Sequence, residues 1–182
     1  MRVTLPAIAT CLALAPLGIQ AQPAPQPVAP RLVIGAPGQC EMTVQGSARP
    51  CSSGIVYVHH SNGSILLSVQ SGRDVTIGFE ADSDRQPTRE EYILNLTRMH
   101  TSIDGRTAAK VVSGTCQISM STDGQTWHRA VCRATDRSNQ ETVMTFTGNG
   151  RPVTAARPGQ EGQAPGAAPP SQQPAPRPPA KG

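Results

Sequence analysis

Between Thr115 and Asp136 the chain reads Thr-Cys-Gln-Ile-Ser-Met-Ser-Thr-Asp-Gly-Gln-Thr-Trp-His-Arg-Ala-Val-Cys-Arg-Ala-Thr-Asp. Two alternating runs meet at Asp123-Gly124, with one cysteine on each arm. Asp-Gly in that setting signals a hairpin, and a three-residue loop Asp123-Gly124-Gln125 hands glycine the left-handed position. Counting outward, Thr122 then faces Thr126, Met120 faces His128, Ile118 faces Ala130 and Cys116 faces Cys132. Cysteines directly opposite on neighbouring strands sit near disulfide distance. A two-residue Asp-Gly turn slips the pairing by one and sets Cys116 against Val131, so the bond and the register require each other. This stretch predicts an antiparallel β fold locked by a cross-strand cystine.

The compartment follows from the N-terminus. Arg2 precedes an apolar run from Val3 to Ile19, which Pro6 and Pro16 interrupt. That run is too short and broken to span a bilayer comfortably, and a small residue at Ala21 completes the pattern of a cleaved secretory signal over 1–21. Ile8-Ala9-Thr10-Cys11 loosely resembles a lipid-attachment box, but the apolar run before Cys11 is short and Thr10 fits its place poorly. Removal of the signal leaves Cys40, Cys51, Cys116 and Cys132, and an even number in an exported chain predicts two bridges. Of the three pairings, Cys40–Cys51 with Cys116–Cys132 closes two local loops. No pair has the close spacing of a structural zinc site, so no metal or cofactor is expected. The predicted location is the periplasm or the exterior, with no transmembrane segment once the signal is gone.

The formal net charge of +4 is misleading until it is divided. From Leu32 to Gly150 there are ten basic and eleven acidic side chains, and the surplus of arginine and lysine sits in the ends. A basic balance from the termini is not the footprint of a basic groove. Phe, Tyr and Trp together make up only 3% of the residues, too few to build stacking platforms for bases. Nucleic acid is not expected as a partner.

Both ends are also rich in proline. Residues 22–31 form a Pro-rich linker, and Arg151 to Gly182 repeats that composition as a Pro/Ala-rich tail expected to be disordered. What lies between, 32–150, is a single domain whose short alternating runs and frequent turn residues predict an all-β fold. The expected form is a small disulfide-bonded antiparallel β-sandwich or closed barrel of seven to nine strands. Gln39–Val44 is the expected first strand, with Cys40, Met42 and Val44 on one face. In Ile55–His60 and Ile65–Gln70, Asn62-Gly63 is read as a two-residue type I′ turn. That register pairs His60 with Ile65, Val58 with Leu67 and Val56 with Val69. It puts Val56 and Val58 in the core and Tyr57 outside. Val75, Ile77 and Phe79 point inward; a long charged loop, with a helical turn at Thr88–Glu91, is expected from Glu80 to Glu91. Tyr92–Met99, Thr107–Val112 after an Asp104-Gly105 turn, and Glu141–Thr147 complete the strands.

No chemistry is legible. There is no Gly-x-Ser-x-Gly elbow, no phosphate-cradling loop, and the carboxylate pairs Asp82/Asp84 and Glu90/Glu91 fall in one charged segment. No catalytic residue is assigned. The expectation is a non-enzymatic exported β domain that binds a protein or a cell-envelope component. An inhibitor of a hydrolase such as a lysozyme or protease, presenting the Ala81–Glu91 loop, and a small hydrolase are the alternatives. The candidate binding surface comprises Tyr57, His59, Asp82, Asp84, Arg85, Arg89 and Trp127.

Overall fold

The computed structural model describes residues 28–158; the expected signal at 1–21, linker residues 22–27 and the tail from 159 onward lie outside the described residues. Eleven strands are present: β1 (Pro30–Ala36), β2 (Gly38–Val44), β3 (Ser47–Arg49), β4 (Ile55–His60), β5 (Ile65–Gln70), β6 (Val75–Arg85), β7 (Glu91–Ile103), β8 (Arg106–Met120), β9 (Trp127–Asp136), β10 (Glu141–Gly148) and β11 (Thr154–Ala156). They form one antiparallel sheet in the order β11-β1-β4-β5-β6-β7-β8-β9-β10-β2-β3, curled into an open half-barrel, with no helix among the described residues. The all-β antiparallel expectation therefore holds.

Curling gives the sheet one inner surface, and that surface is the core. Phe79, Phe146, Ile65, Leu67, Leu94 and Met144 are fully buried there. Consecutive strands β1 and β2 meet across Pro37 yet lie near opposite margins, so the chain itself links the two sides of the sheet. Cys40–Cys51 ties β2 to the segment entering β4. Beside it the Ser52 N–H donates to the Gln70 carbonyl at 2.7 Å and Ser71 Oγ donates to the Pro50 carbonyl at 2.7 Å. Both predicted disulfides are present.

The cystine hairpin keeps its predicted pairing at Cys116–Cys132, where the Cα atoms are 3.9 Å apart, and at Ile118–Ala130. Nearer the turn it departs. A bulge between Ser119 and Met120 sets Met120 beside Trp127 rather than His128. The expected three-residue loop is also corrected. Ser121 N–H donates to the Thr126 carbonyl at 2.8 Å, so the loop is residues 122–125 and Thr122 does not face Thr126. Within it Asp123 Oδ1 accepts from Gln125 N–H at 2.9 Å, and Ser121 Oγ accepts from Thr126 N–H at 2.9 Å. The displaced residue rotates Trp127 onto the inner face, where simple alternation puts it outside.

The first hairpin is a correction. Tyr57 pairs with Leu67 and Val58 with Leu66, one residue away from the expected register. The loop is Ser61-Asn62-Gly63, with the Gly63 N–H donating to the His60 carbonyl at 3.1 Å and Gly63 in the left-handed region at φ 88°. This is a type I turn closed by a left-handed glycine, the three-residue alternative to the two-residue turn. Because strand faces alternate, the slip turns β4 over. Ile55 and Tyr57 are buried, and Val56 is 42% exposed.

Two further boundaries move. β6 runs on to Arg85, so the long charged loop shrinks to Gln86–Glu90 and contains no helical turn. It is held against the cystine hairpin, with the Met120 N–H donating to the Glu90 carbonyl at 2.9 Å. At the termini, β1 starts at Pro30, and β11 pairs with it through Val33–Ala156 and Gly35–Thr154. Ordered β structure thus passes both compositional boundaries.

Where β8 bends past β9, Gly114 has φ 148°, and a side chain there would overlap the Arg133 carbonyl and come within 3.2 Å of Ala134 Cα. Backbone cannot yield as a flexible side chain can. Gly114→Ala is expected to cost about 3 kcal/mol or more by forced backbone displacement in a well-packed region. Gly63→Asn, at an open left-handed turn position that asparagine tolerates, is expected to cost under about 1 kcal/mol. Guanidinium unfolding of the disulfide-intact proteins measures both.

Candidate functional site

The site is built on the outer face of β4 to β7. Three rungs cross it: Leu66, Glu80 and Arg98; Ser68, Gly78 and His100; Gln70, Thr76 and Ser102. Their neighbours Leu67, Val69, Ile77, Phe79 and Met99 fill the core, so alternation sends this set outward. At the middle of the second rung stands Gly78. A methyl there would lie 2.8 Å from Leu66 Cδ1 and 3.6 Å from His100 Cβ. The missing side chain lets Leu66 lie over β6, and it leaves an open groove of about 880 Å³. Val28 and His60 form its far side, where His60 Nδ1 is 3.3 Å from the Val28 carbonyl.

The near wall is charged. Glu80 bonds to His100 Nε2 through one carboxylate oxygen, and its other oxygen lies 3.8 Å from Arg98 Nη1. These partners come together because Glu80 and His100 are diagonal neighbours across the β6–β7 ladder, a distance long side chains span. The groove therefore offers an apolar floor and an imidazole–carboxylate–guanidinium wall. Such a wall orients a polar ligand group. A general-base pair would in addition need a hydroxyl held against the imidazole. Of the groove's hydroxyls, Ser64 Oγ donates to Asn62 Oδ1 at 2.8 Å and Ser68 Oγ to the Val56 carbonyl at 3.4 Å. No hydroxyl is hydrogen-bonded to His100 among the described residues.

No family model and no curated protein matches the chain. The site must accordingly be read from its own geometry.

The structure scatters the sequence-predicted surface. Tyr57 and Trp127 are 5% and 4% exposed and belong to the core, which corrects their assignment to a binding patch. The Tyr57 ring meets Tyr92 edge-on at 6.3 Å and Trp127 at 5.9 Å. The physical reasons are the one-residue slip at β4 and the bulge before Met120. His59 is half-buried at the inner-face position of the rung that joins Leu32 and Ile65. Asp82, Asp84 and Arg85 are exposed on the end of β6, and Arg89 lies in the short loop beyond. Ser83 Oγ, which donates to Asp82 Oδ1 at 3.2 Å, also accepts from Asn95 Nδ2 at 3.2 Å. None of the seven lines the groove.

Glu80, Arg98, His100, Leu66 and Gly78 were not legible as a set. One signal existed: glycine inside an alternating strand marks a place where something lies close over the backbone.

The aromatic cluster carries its own test. Tyr57 and Tyr92 are the chain's two tyrosines, and their hydroxyls are 3.2 Å apart. Burial raises both phenols above their ordinary value; at Tyr92 hydrogen bonding to Asp84 and to Tyr57 adds to the rise. A group raised in the fold stabilises it fully below its unfolded pKa of about 10, and that stability is lost as pH climbs further. In an alkaline titration, tyrosinate absorbance is expected to stay flat through pH of about 10 and then to rise together with loss of the β circular dichroism signal. Ionisation of one tyrosine at its ordinary pH in an intact fold would contradict the cluster.

Proposed function

We propose that this chain is an exported, disulfide-locked β domain that binds a protein or a cell-envelope component without turning it over. The observation that carries the reading is the groove over Gly78, with its apolar floor and its Glu80–Arg98–His100 wall. All of these residues except Val28 and the turn residues Asn62 and Ser64 stand on strands of one continuous sheet. A site on strands is held rigidly and binds with little ordering cost. Export is supported by the signal-like N-terminus and by the two disulfides, which belong to an oxidising compartment. Binding rather than catalysis is supported by His100, whose side-chain partner is the Glu80 carboxylate and not a groove hydroxyl.

The test is crosslinking capture from an envelope fraction with the full-length oxidised protein and two variants. Gly78→Val displaces Leu66 and fills the groove; Gln117→Ala alters the outer face elsewhere. Capture of the specific partner is expected to fall about tenfold or more with Gly78→Val, the equivalent of about 1.4 kcal/mol, and to be unchanged with Gln117→Ala. Equal capture by Gly78→Val and the parent removes the groove from the function.

A further inference from the structure

A second surface lies at the end of the β7–β8 hairpin. β8 pairs with β9 only from Val112 onward, because β9 ends at Asp136. Arg106 to Val111 therefore has β7 on one side and no strand on the other. These six residues form the longest stretch of strand with an open edge among the described residues, about 20 Å at strand rise. Ile103 and Arg106 flank a two-residue turn in which Asp104 and Gly105 both have positive φ, at 48° and 77°. In such a hairpin the flanking pair exchanges both ladder bonds, so the N–H and C=O groups of Thr107, Ala109 and Val111 point away from β7.

Other strand ends in this molecule are blunted. β3 and β11, the sheet margins, have three residues each. The overhang of β6 beyond β5 bears Asp82, Asp84 and Arg85 and follows a bulge, both devices that discourage pairing. The β8 edge carries Arg106 and Lys110, and its bulge comes only after Val111, so six residues in regular register stay open. Its outer-face positions are Thr107, Ala109 and Val111, the last 48% exposed, and small side chains there leave room for larger ones. Its inner-face positions are Arg106, Ala108 and Lys110. Lys110 Nζ is also held at 2.9 Å from Asp136 Oδ2.

We infer that Arg106–Val111 is a strand-addition site for an extended segment of a partner protein in which apolar and acidic residues alternate. An added strand takes up the three outward N–H and C=O pairs. Residues directly opposite share a face, so apolar side chains would cover Thr107, Ala109 and Val111, while carboxylates would meet Arg106 and Lys110. A second copy of the chain supplies no carboxylate opposite these cations: self-pairing centred on Ala108 sets Arg106 against Lys110, and centring on Ala109 sets Lys110 against Ala108. The inference is independent of the groove, which this edge borders only at Thr107.

The probe is a blocked, fluorescent peptide of alternating valine and glutamate, titrated by anisotropy into the full-length oxidised chain. Its counterpart replaces every glutamate with lysine. Ala109→Pro removes an N–H that points away from β7 and so spares the hairpin ladder. Arg106→Glu, a change to an exposed side chain, tests the charge term separately. The glutamate peptide is expected to bind at least about tenfold tighter than the lysine peptide, and to weaken about tenfold or more with each variant, but not with Gly78→Val. Equal affinity for the two peptides, or wild-type affinity in Ala109→Pro with its disulfides and β spectrum intact, overturns the proposal. If Ala109→Pro does not fold, unchanged affinity in Arg106→Glu overturns it instead. Loss of binding in Gly78→Val alone assigns the peptide to the groove and overturns it too. A dimer of the free parent chain that Ala109→Pro dissociates makes a second copy the occupant and has the same consequence.

Discussion

A curled single sheet has one concave surface to fill, and every strand must be in phase with it. That requirement organises this protein. Its five aromatic residues, Tyr57, Phe79, Tyr92, Trp127 and Phe146, all contribute to the concave core, although they stand on five different strands. The Cys116–Cys132 bond fixes the phase of β8 against β9 covalently, with both sulfurs' residues fully buried. Elsewhere phase is kept by irregularity. The bulge between Leu96 and Arg98 brings Met99 inward after Leu94 and Leu96, and the one before Met120 does the same for Trp127.

Those irregularities also mark where the sequence could be read and where it could not. The cystine hairpin was legible at its cysteines because thiol spacing demanded their pairing; the turn chemistry misplaced the loop by one residue, and the bulge before Met120 restores the register. Tyr92, Leu94 and Leu96 were legible because alternation is unbroken across them. Asn62-Gly63 was misread: the same dipeptide serves a two-residue turn and the end of a three-residue one, and no second constraint on β4 and β5 separated them. Val56 and Tyr57 are both good strand residues, so composition could not reveal which of them faced inward. Asp82 and Asp84 looked like loop because charge is depleted in central strands, yet at an overhanging edge it is favoured. β1 and β11 were obscured by proline and alanine around them. Their strand character comes from a pairing between segments more than a hundred residues apart, which no local window contains.

The candidate site was less legible than the fold for a related reason. The groove draws on β4 to β7, and Leu66, Gly78 and His100 become neighbours only when two registers are correct together. A single residue of slip in either hairpin breaks the set. The residues that looked most promising as a binding patch, Tyr57 and Trp127, are instead the ones the concave surface most needs. Large apolar rings in a chain with so few of them are drawn into the core before they are available for recognition.

The junction at Pro37 has a consequence for how the molecule comes into being. β1 is flanked by β4 and by β11, and β2 by β10 and β3, so neither of the first two strands can be completed by residues near it in the chain. Assembly cannot run from the beginning forward. The early part of the polypeptide must wait, incompletely paired, until nearly the last described residue has arrived, while β4 to β10 close as successive hairpins between chain neighbours. A sheet connected this way seals last along the strands the chain makes first.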